Sequence, residues 1–78
     1  MSNLELYKNC FTSSLSISDD ALDNLEYNSI PEWDSIGHMS LISELEEKFK
    51  ISIETDDIVD FSSFKKGKEI LLKYKIKV

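Results

Sequence analysis

Apolar residues recur at intervals of three and four in three separate segments of this 78-residue chain. That spacing places them on one face of an α-helix, so each segment predicts an amphipathic helix. The predicted helices cover roughly residues 3–15, 35–49 and 63–75. Their apolar stripes predict a shared core, which is expected to contain Leu4, Tyr7, Phe11, Met39, Ile42, Leu45, Phe49, Leu71 and Tyr74.

Local signals mark the helix ends and the segments between the helices. Ser2 and Glu5 have the spacing of a capping box at the start of the first helix. Thr55 is the candidate cap of a short helix that follows the second one. Gly67 weakens the last helix by about 1 kcal/mol relative to alanine, which predicts a close approach of another helix there. A long connection precedes the second helix, and the residues expected to pin it to the helices are Ile17, Leu22, Leu25, Tyr27 and Ile30.

These patterns together predict one all-α domain over residues 1–78. The expected fold is a small antiparallel bundle of three main helices and one short helix, with a long first loop. The chain has only two glycines and one proline, which argues against disorder and against a turn-rich β fold. Its one cysteine, Cys10, cannot form an internal disulfide, and no cluster of metal ligands is apparent. We expect Cys10 to be half-buried on the first helix.

Charge is distributed unevenly along the chain. Residues 1–60 hold 14 acidic residues and 3 lysines, whereas residues 61–78 hold one acid and 6 lysines. The acidic part disfavours nucleic acid as a partner, because neutralising phosphates requires clustered basic side chains. It favours partners with basic surfaces. No signal peptide or apolar run long enough for a membrane span is visible, and we expect a cytoplasmic monomer that does not insert into membranes.

The second predicted helix opens with the run Trp33-Asp34-Ser35-Ile36-Gly37-His38-Met39. Either Asp34 or Ser35 can serve as its N-cap. Apolar residues follow at helical spacing, and the helix ends with Leu45-Glu46-Glu47 and Phe49. This pattern resembles the acyl carrier protein family, in which Asp-Ser-(Leu/Ile) opens a helix of the same kind. The long first loop, the short third helix and the total length are also similar to that family.

The resemblance implies that Ser35 carries 4′-phosphopantetheine, which a phosphopantetheinyl transferase takes from coenzyme A. It implies that Asp34 contacts Mg²⁺ during that transfer. The thiol of the arm would hold an acyl or aminoacyl group as a thioester and present it to an activating ligase and to acyl-transfer enzymes. The chain itself would then not be an enzyme. The Trp-Asp-Ser-Ile-Gly-His run resembles stand-alone carriers of specialised biosynthetic pathways.

Other residues near Ser35 have candidate roles. A phosphodiester at a helix N-terminus is favoured by the helix dipole, and His38 is a candidate neighbour of that phosphate. A nucleophilic pair of Ser35 and His38 is disfavoured, since no third group is placed to orient the histidine. The resemblance implies a partner-binding surface made of Ile36, Met39, Glu44, Glu47, Asp56 and Asp57. The alternative for its acidic residues is an ordinary solvated helix face.

The chain departs from the fatty-acid carriers at two positions. Those carriers typically place acids where this chain has Gly37 and Ser40. The weaker charge near the arm favours a specialised pathway over fatty-acid synthesis. Trp33 is expected to pack the loop over the start of the second helix. The alternative function, from a different class, is an unmodified helical adaptor that binds partners through its acidic face.

Overall fold

The computed structural model describes residues 2–78, which form four α-helices and one 3₁₀ turn. Helix accounts for 61% of the structure, and residues 2–78 contain no strand, so the all-α prediction is confirmed. The helices are α1 (Asn3–Leu15), α2 (Ser35–Phe49), α3 (Thr55–Asp60) and α4 (Phe64–Lys73), and the 3₁₀ turn covers Asp19–Ala21.

Side-chain caps explain where α1 and α4 begin. Ser2 Oγ accepts a hydrogen bond from the Glu5 N–H at 3.1 Å, as the spacing of these residues predicted. Ser63 Oγ accepts one from the Lys66 N–H at 2.9 Å. Each bond satisfies one of the backbone donors that a helix start leaves without a partner.

The start of α3 differs from the prediction, which was wrong about its cap. Glu54 occupies the N-cap position, and Thr55 is the first helical residue. The Glu54 N–H donates to the Tyr74 hydroxyl at 2.9 Å, so a residue after α4 supports this turn from outside. The first turn of α3 has no side-chain cap, and this bond instead satisfies the backbone N–H of the N-cap residue itself.

One cluster of buried side chains forms the core. Helices α1, α2 and α4 contribute to it, together with the first loop and the segments that flank α3. Loop residues therefore supply core volume that the helical stripes alone did not include. The buried hydrophobic residues are Tyr7, Cys10, Phe11, Leu15, Leu22, Leu25, Trp33, Leu41, Ile42, Leu45, Ile53, Phe61, Phe64, Ile70 and Leu71.

The buried face of α2 is rotated from the predicted one. Ile42 and Leu45 are buried as expected, but Leu41 is also fully buried, whereas Met39 is 51% exposed. The apolar spacing of α2 fits two overlapping stripes, and packing against α1 buries the one that contains Leu41. Met39 then falls on the exposed side with Ile36, which corrects its assignment to the core.

Three further core assignments need correction. Leu4 is 37% exposed, because it lies in the first turn of α1, at the end of the helix. Phe49 and Tyr74 pack against the core but are only partly buried. Cys10, expected to be half-buried, is fully buried.

Gly67 allows α4 to approach its neighbours closely. A Cβ at this position would overlap the Tyr7 hydroxyl and the Phe61 ring, whose Cε1 atom would be 2.7 Å away. This confirms the close approach that the sequence predicted. The Tyr7 hydroxyl also donates to the Phe64 carbonyl at 2.6 Å, which ties α1 to the start of α4.

The long first loop is fastened to the connection between α3 and α4. Glu26 and Ser63 form an isolated antiparallel bridge. Next to it, the Tyr27 N–H donates to the Ser62 carbonyl at 2.8 Å. These bonds fix the path of the loop just before it reaches α2. Across residues 2–78, no helix has both the length and the apolar composition that crossing a bilayer requires.

Candidate functional site

Ser35 is the first residue of α2, and it is exposed. Asp34 caps the helix instead, because its Oδ1 atom accepts the Gly37 N–H at 2.8 Å. The Ser35 Oγ atom lies 3.3 Å from the hydroxyl oxygen of Tyr27. The hydroxyl of Ser35 is thus presented at the surface of the helix start while its neighbour performs the capping.

Asp34 is exposed beside Ser35 and has extended backbone geometry. A carboxylate accepts through two oxygens, so capping through Oδ1 leaves Oδ2 able to bind a cation. Hard cations such as Mg²⁺ prefer oxygen ligands and keep several waters. In residues 2–78, no group of three or more His, Cys, Asp or Glu side chains is placed to hold a metal ion. The Asp34 carboxylate could therefore supply one ligand to a metal ion whose other ligands come from a partner.

Gly37 allows the loop to cross directly over the first turn of α2. A Cβ at this position would overlap the backbone carbonyl oxygen of Glu32 and would lie 3.2 Å from the Leu15 side chain. An acid at position 37, as in the fatty-acid carriers, would therefore displace the loop. Close packing of the loop thus accounts for the glycine, whereas Ser40, at the other departure, is exposed.

His38 connects three parts of the fold. Its Nδ1 accepts a hydrogen bond from the Trp33 indole N–H at 2.9 Å, and its Nε2 lies 2.8 Å from the Ile58 carbonyl oxygen. Since Nδ1 accepts, Nε2 carries the hydrogen and donates to that carbonyl. Both nitrogens are engaged inside the protein. No ring nitrogen of His38 is therefore free to make the predicted contact with a phosphate. For the same reason His38 cannot act as a base for Ser35.

Trp33 is fully buried, which confirms that it packs the loop over the start of α2. Its ring stacks on His38 with a centroid distance of 6.0 Å and meets Phe11 of α1 edge-on at 5.5 Å. The indole thus joins the loop, α1 and α2 at one point. This anchoring places the residues that follow, Asp34 and Ser35, at a defined position on the surface.

Two hollows adjoin the Ser35–Tyr27 pair, one lined by Ser35 and the other by Tyr27. An open cleft between the end of α1 and α2 is lined by Ser35, the exposed apolar residues Ile36 and Met39, and five polar residues. A smaller groove of about 280 Å³ lies against α3. The residues that line this groove are Tyr27, His38, Ile58, Val59, Phe61 and Ser62.

Asp57 was predicted to contact partners, and the structure contradicts this. The residue is buried, and its carboxylate accepts hydrogen bonds from the Tyr74 hydroxyl at 2.6 Å and the Lys73 ammonium at 2.9 Å. These bonds, with that from Tyr74 the more important, hold the pKa of Asp57 below its usual range. Asp57 therefore fastens α3 to the end of α4 and is not part of an open surface.

The other acids of the predicted partner surface remain accessible. Glu47 and Asp56 are exposed, and Glu44 is half-buried beside the open cleft. Cys10 is not available for acyl transfer. Burial raises the pKa of its thiol to about 11, and the nearby Glu44 carboxylate adds to the shift.

Tyr27 is the residue of this site that the sequence pattern missed. It was expected only to pin the loop, and its hydroxyl was assigned no role. The contact with Ser35 spans eight positions and depends on the path of an irregular loop, so no local pattern signals it. The backbone bond to Ser62 fixes the loop, and edge-on contacts with Trp33 and His38 place the ring at the start of α2.

Comparisons of the chain with protein-family models, with curated proteins and with solved structures found no significant match. The resemblance to acyl carrier proteins therefore depends on the residues around Ser35 and on the order of the helices.

Proposed function

We propose that this protein is a carrier for a specialised biosynthetic pathway and that Ser35 bears 4′-phosphopantetheine. The arm holds an acyl or aminoacyl group as a thioester and presents it to partner enzymes. The observation that supports this most directly is the exposed Ser35 hydroxyl beside a helix cap that Asp34 already supplies. A serine present only for helix stability would itself make the bond to the Gly37 N–H.

The surroundings of Ser35 fit a group attached there. A phosphodiester on Oγ would lie at the positive end of α2, where an anion is favoured. The open cleft on one side gives access to a transferase. When attached, the arm supplies the thiol that holds the cargo, whereas the thiol of Cys10 is buried in the core.

The chemistry of modification is phosphoryl transfer to Ser35. Oγ forms a bond to the phosphorus that carries pantetheine, and the diphosphate bond of coenzyme A breaks. Adenosine 3′,5′-bisphosphate leaves with the bonding electrons, and the hydroxyl proton passes to a base of the transferase. This chain contributes the position of the nucleophile and, through Asp34, one oxygen ligand for Mg²⁺.

Partner enzymes would dock on the exposed side of α2 and on α3. Ile36 and Met39 offer apolar contact area close to Ser35, and Glu47 and Asp56 add charge around it. Apolar contacts with a charged periphery are the usual composition of a transient interface. The transferase, the activating ligase and the acyl-transfer enzymes would share this surface.

Intact-mass measurement tests the proposal. The protein is incubated with a broad-specificity phosphopantetheinyl transferase, coenzyme A and Mg²⁺, and its mass is expected to rise by one phosphopantetheine group. Ser35→Ala should remove the increase while changing stability by less than about 0.5 kcal/mol, since the residue is exposed and does not cap α2. Ser40→Ala, an exposed serine on the same helix, is the control and should be modified normally.

The outcome also separates the alternatives. No increase in the wild-type protein would favour the unmodified adaptor, which needs the same exposed surface but no arm. An increase that persists in Ser35→Ala would place the modification at another residue. An enzyme built on Ser35 and His38 would have to show hydrolysis by the purified chain alone. The structure disfavours such an enzyme, because the ring nitrogens of His38 already bond to Trp33 and Ile58.

A further inference from the structure

We infer that Tyr27 is a positioning residue for the chemistry at Ser35. Its hydroxyl orients the Ser35 Oγ atom for modification and afterwards donates a hydrogen bond to the phosphodiester formed there. This inference rests on the proposed function. It starts from the 3.3 Å contact between the two hydroxyl oxygens, which joins the first loop to the start of α2.

The Tyr27 residue is 37% exposed, but its backbone and ring are positioned by their surroundings. The backbone N–H of Tyr27 donates to the Ser62 carbonyl at 2.8 Å. Its ring meets Trp33 and His38 edge-on, with centroid distances of 6.2 Å and 5.4 Å. Those two rings are themselves joined by the 2.9 Å hydrogen bond between indole and imidazole. Because the ring is already positioned, little conformational entropy is lost when the hydroxyl is oriented for the reaction.

The direction of the hydrogen bond follows from the chemistry of the two oxygens. Before modification either hydroxyl can donate. After modification Oγ is an ester oxygen without a hydrogen, so only the Tyr27 phenol can donate. Its new acceptors, the ester oxygen and the charged phosphoryl oxygens, favour a shorter and stronger bond than two neutral hydroxyls form.

The length of the contact does not argue against a role during the reaction. At 3.3 Å it is longer than the usual O–H···O distance of about 2.7–2.8 Å. Hydrogen bonds that act in a reaction are often long in the free protein and tighten in the reacting complex. Such a bond contributes mainly to the rate of the chemical step and not to docking of the transferase.

Tyr27→Phe tests the inference, because it removes the hydroxyl and keeps the ring against Trp33 and His38. The kcat for loading of Ser35 by the transferase is expected to fall about 2- to 12-fold, the contribution of one hydrogen bond. The KM for the carrier should stay within about twofold, since the docking surface is unchanged. In the loaded protein, the ³¹P resonance of the phosphodiester should move relative to the wild type.

Tyr74→Phe is the matched control. It also deletes one hydroxyl, but that hydroxyl bonds to Asp57 and to the backbone of Glu54. This variant should lose stability while its loading kcat and ³¹P resonance stay those of the wild type. A purely structural effect of losing a tyrosine hydroxyl would appear in both variants.

The possible results decide between the claims. A folded Tyr27→Phe protein with unchanged or faster loading and an unmoved ³¹P resonance overturns the inference and leaves the proposed function standing. A wild-type protein that accepts no arm overturns both. If Tyr27→Phe does not fold, replacement of Tyr27 by a fluorotyrosine keeps ring and hydroxyl but makes a stronger donor. The ³¹P resonance of the loaded protein must then move from its wild-type position, and an unmoved resonance overturns the inference.

Discussion

Gly67→Ala is expected to destabilise the protein, although alanine is the better helix former. In an exposed helix interior this change would stabilise by about 1 kcal/mol. Here the new methyl group would overlap the Tyr7 hydroxyl and the Phe61 ring, with the ring Cε1 atom 2.7 Å away. Both aromatic side chains are buried, so neither can move aside without disturbing the core.

The size of this destabilisation follows from two costs and one gain in the free energy of folding. Adding a methyl group to a packed core costs about 1–3 kcal/mol. Moving Tyr7 also breaks its 2.6 Å hydrogen bond to the Phe64 carbonyl, worth about 1 kcal/mol. The gain in helix propensity of about 1 kcal/mol offsets part of this, which leaves a net loss of about 1–3 kcal/mol. For a domain of this size the melting temperature should fall by at least about 4 °C.

Thermal and urea denaturation followed by circular dichroism measures the change. Glu69→Ala, at an exposed position of the same helix, is the control and should stay within about 0.5 kcal/mol of the wild type. Adding Tyr7→Phe to Gly67→Ala removes one of the overlapping groups, so the two changes together should cost less than their sum. A melting temperature equal to or above that of the wild type would refute the close packing of α1, α4 and Phe61 around this glycine.

Two further predictions concern the charged residues. Tyr74 and Lys73 hold the pKa of Asp57 below its usual range, so their stabilising effect is fully present above about pH 4 and is lost as the pH falls further. The difference in melting temperature between the wild type and Asp57→Asn should therefore shrink in acid; a constant difference would contradict the stated cause. Combining Glu47→Lys with Asp56→Lys should slow loading strongly at low salt and less at high salt. The fold should survive, because exposed charges contribute little to stability. If the loading rate of the variant equals that of the wild type at every salt concentration, these acids are only an ordinary solvated face.

The run from Trp33 to Met39 contains two kinds of residue. Trp33, Gly37 and His38 hold the loop onto α2 and α3 through burial, a close backbone approach and two hydrogen bonds. Asp34 and Ser35, between them, are exposed. The structural residues thus set the position of the exposed ones, which explains why a candidate site on a loop-to-helix junction can be well defined.

Helix bounds and the candidate attachment residue were predictable because their signals are local. The bounds of α1 and α2 agree with the prediction, since caps and apolar spacing lie within the helix or next to it. The last helix, α4, ends at Lys73, two residues earlier than predicted, where Tyr74 turns away to bond with Asp57 and Glu54. The exposed position of Ser35 also follows from its place in the first turn of an amphipathic helix.

The amino-acid sequence by itself determined that the chain is helical, where its two longest helices begin and end, and which serine opens α2. Only the tertiary structure decided that Leu41 and not Met39 faces the core, because both fit the helical spacing and packing against α1 selects one. It also decided the partners of Asp57 and Tyr27. Asp57 meets Lys73 across 16 positions, and Tyr27 meets Ser35 across a loop. Such contacts depend on how separate segments pack, and no pattern among neighbouring residues encodes them.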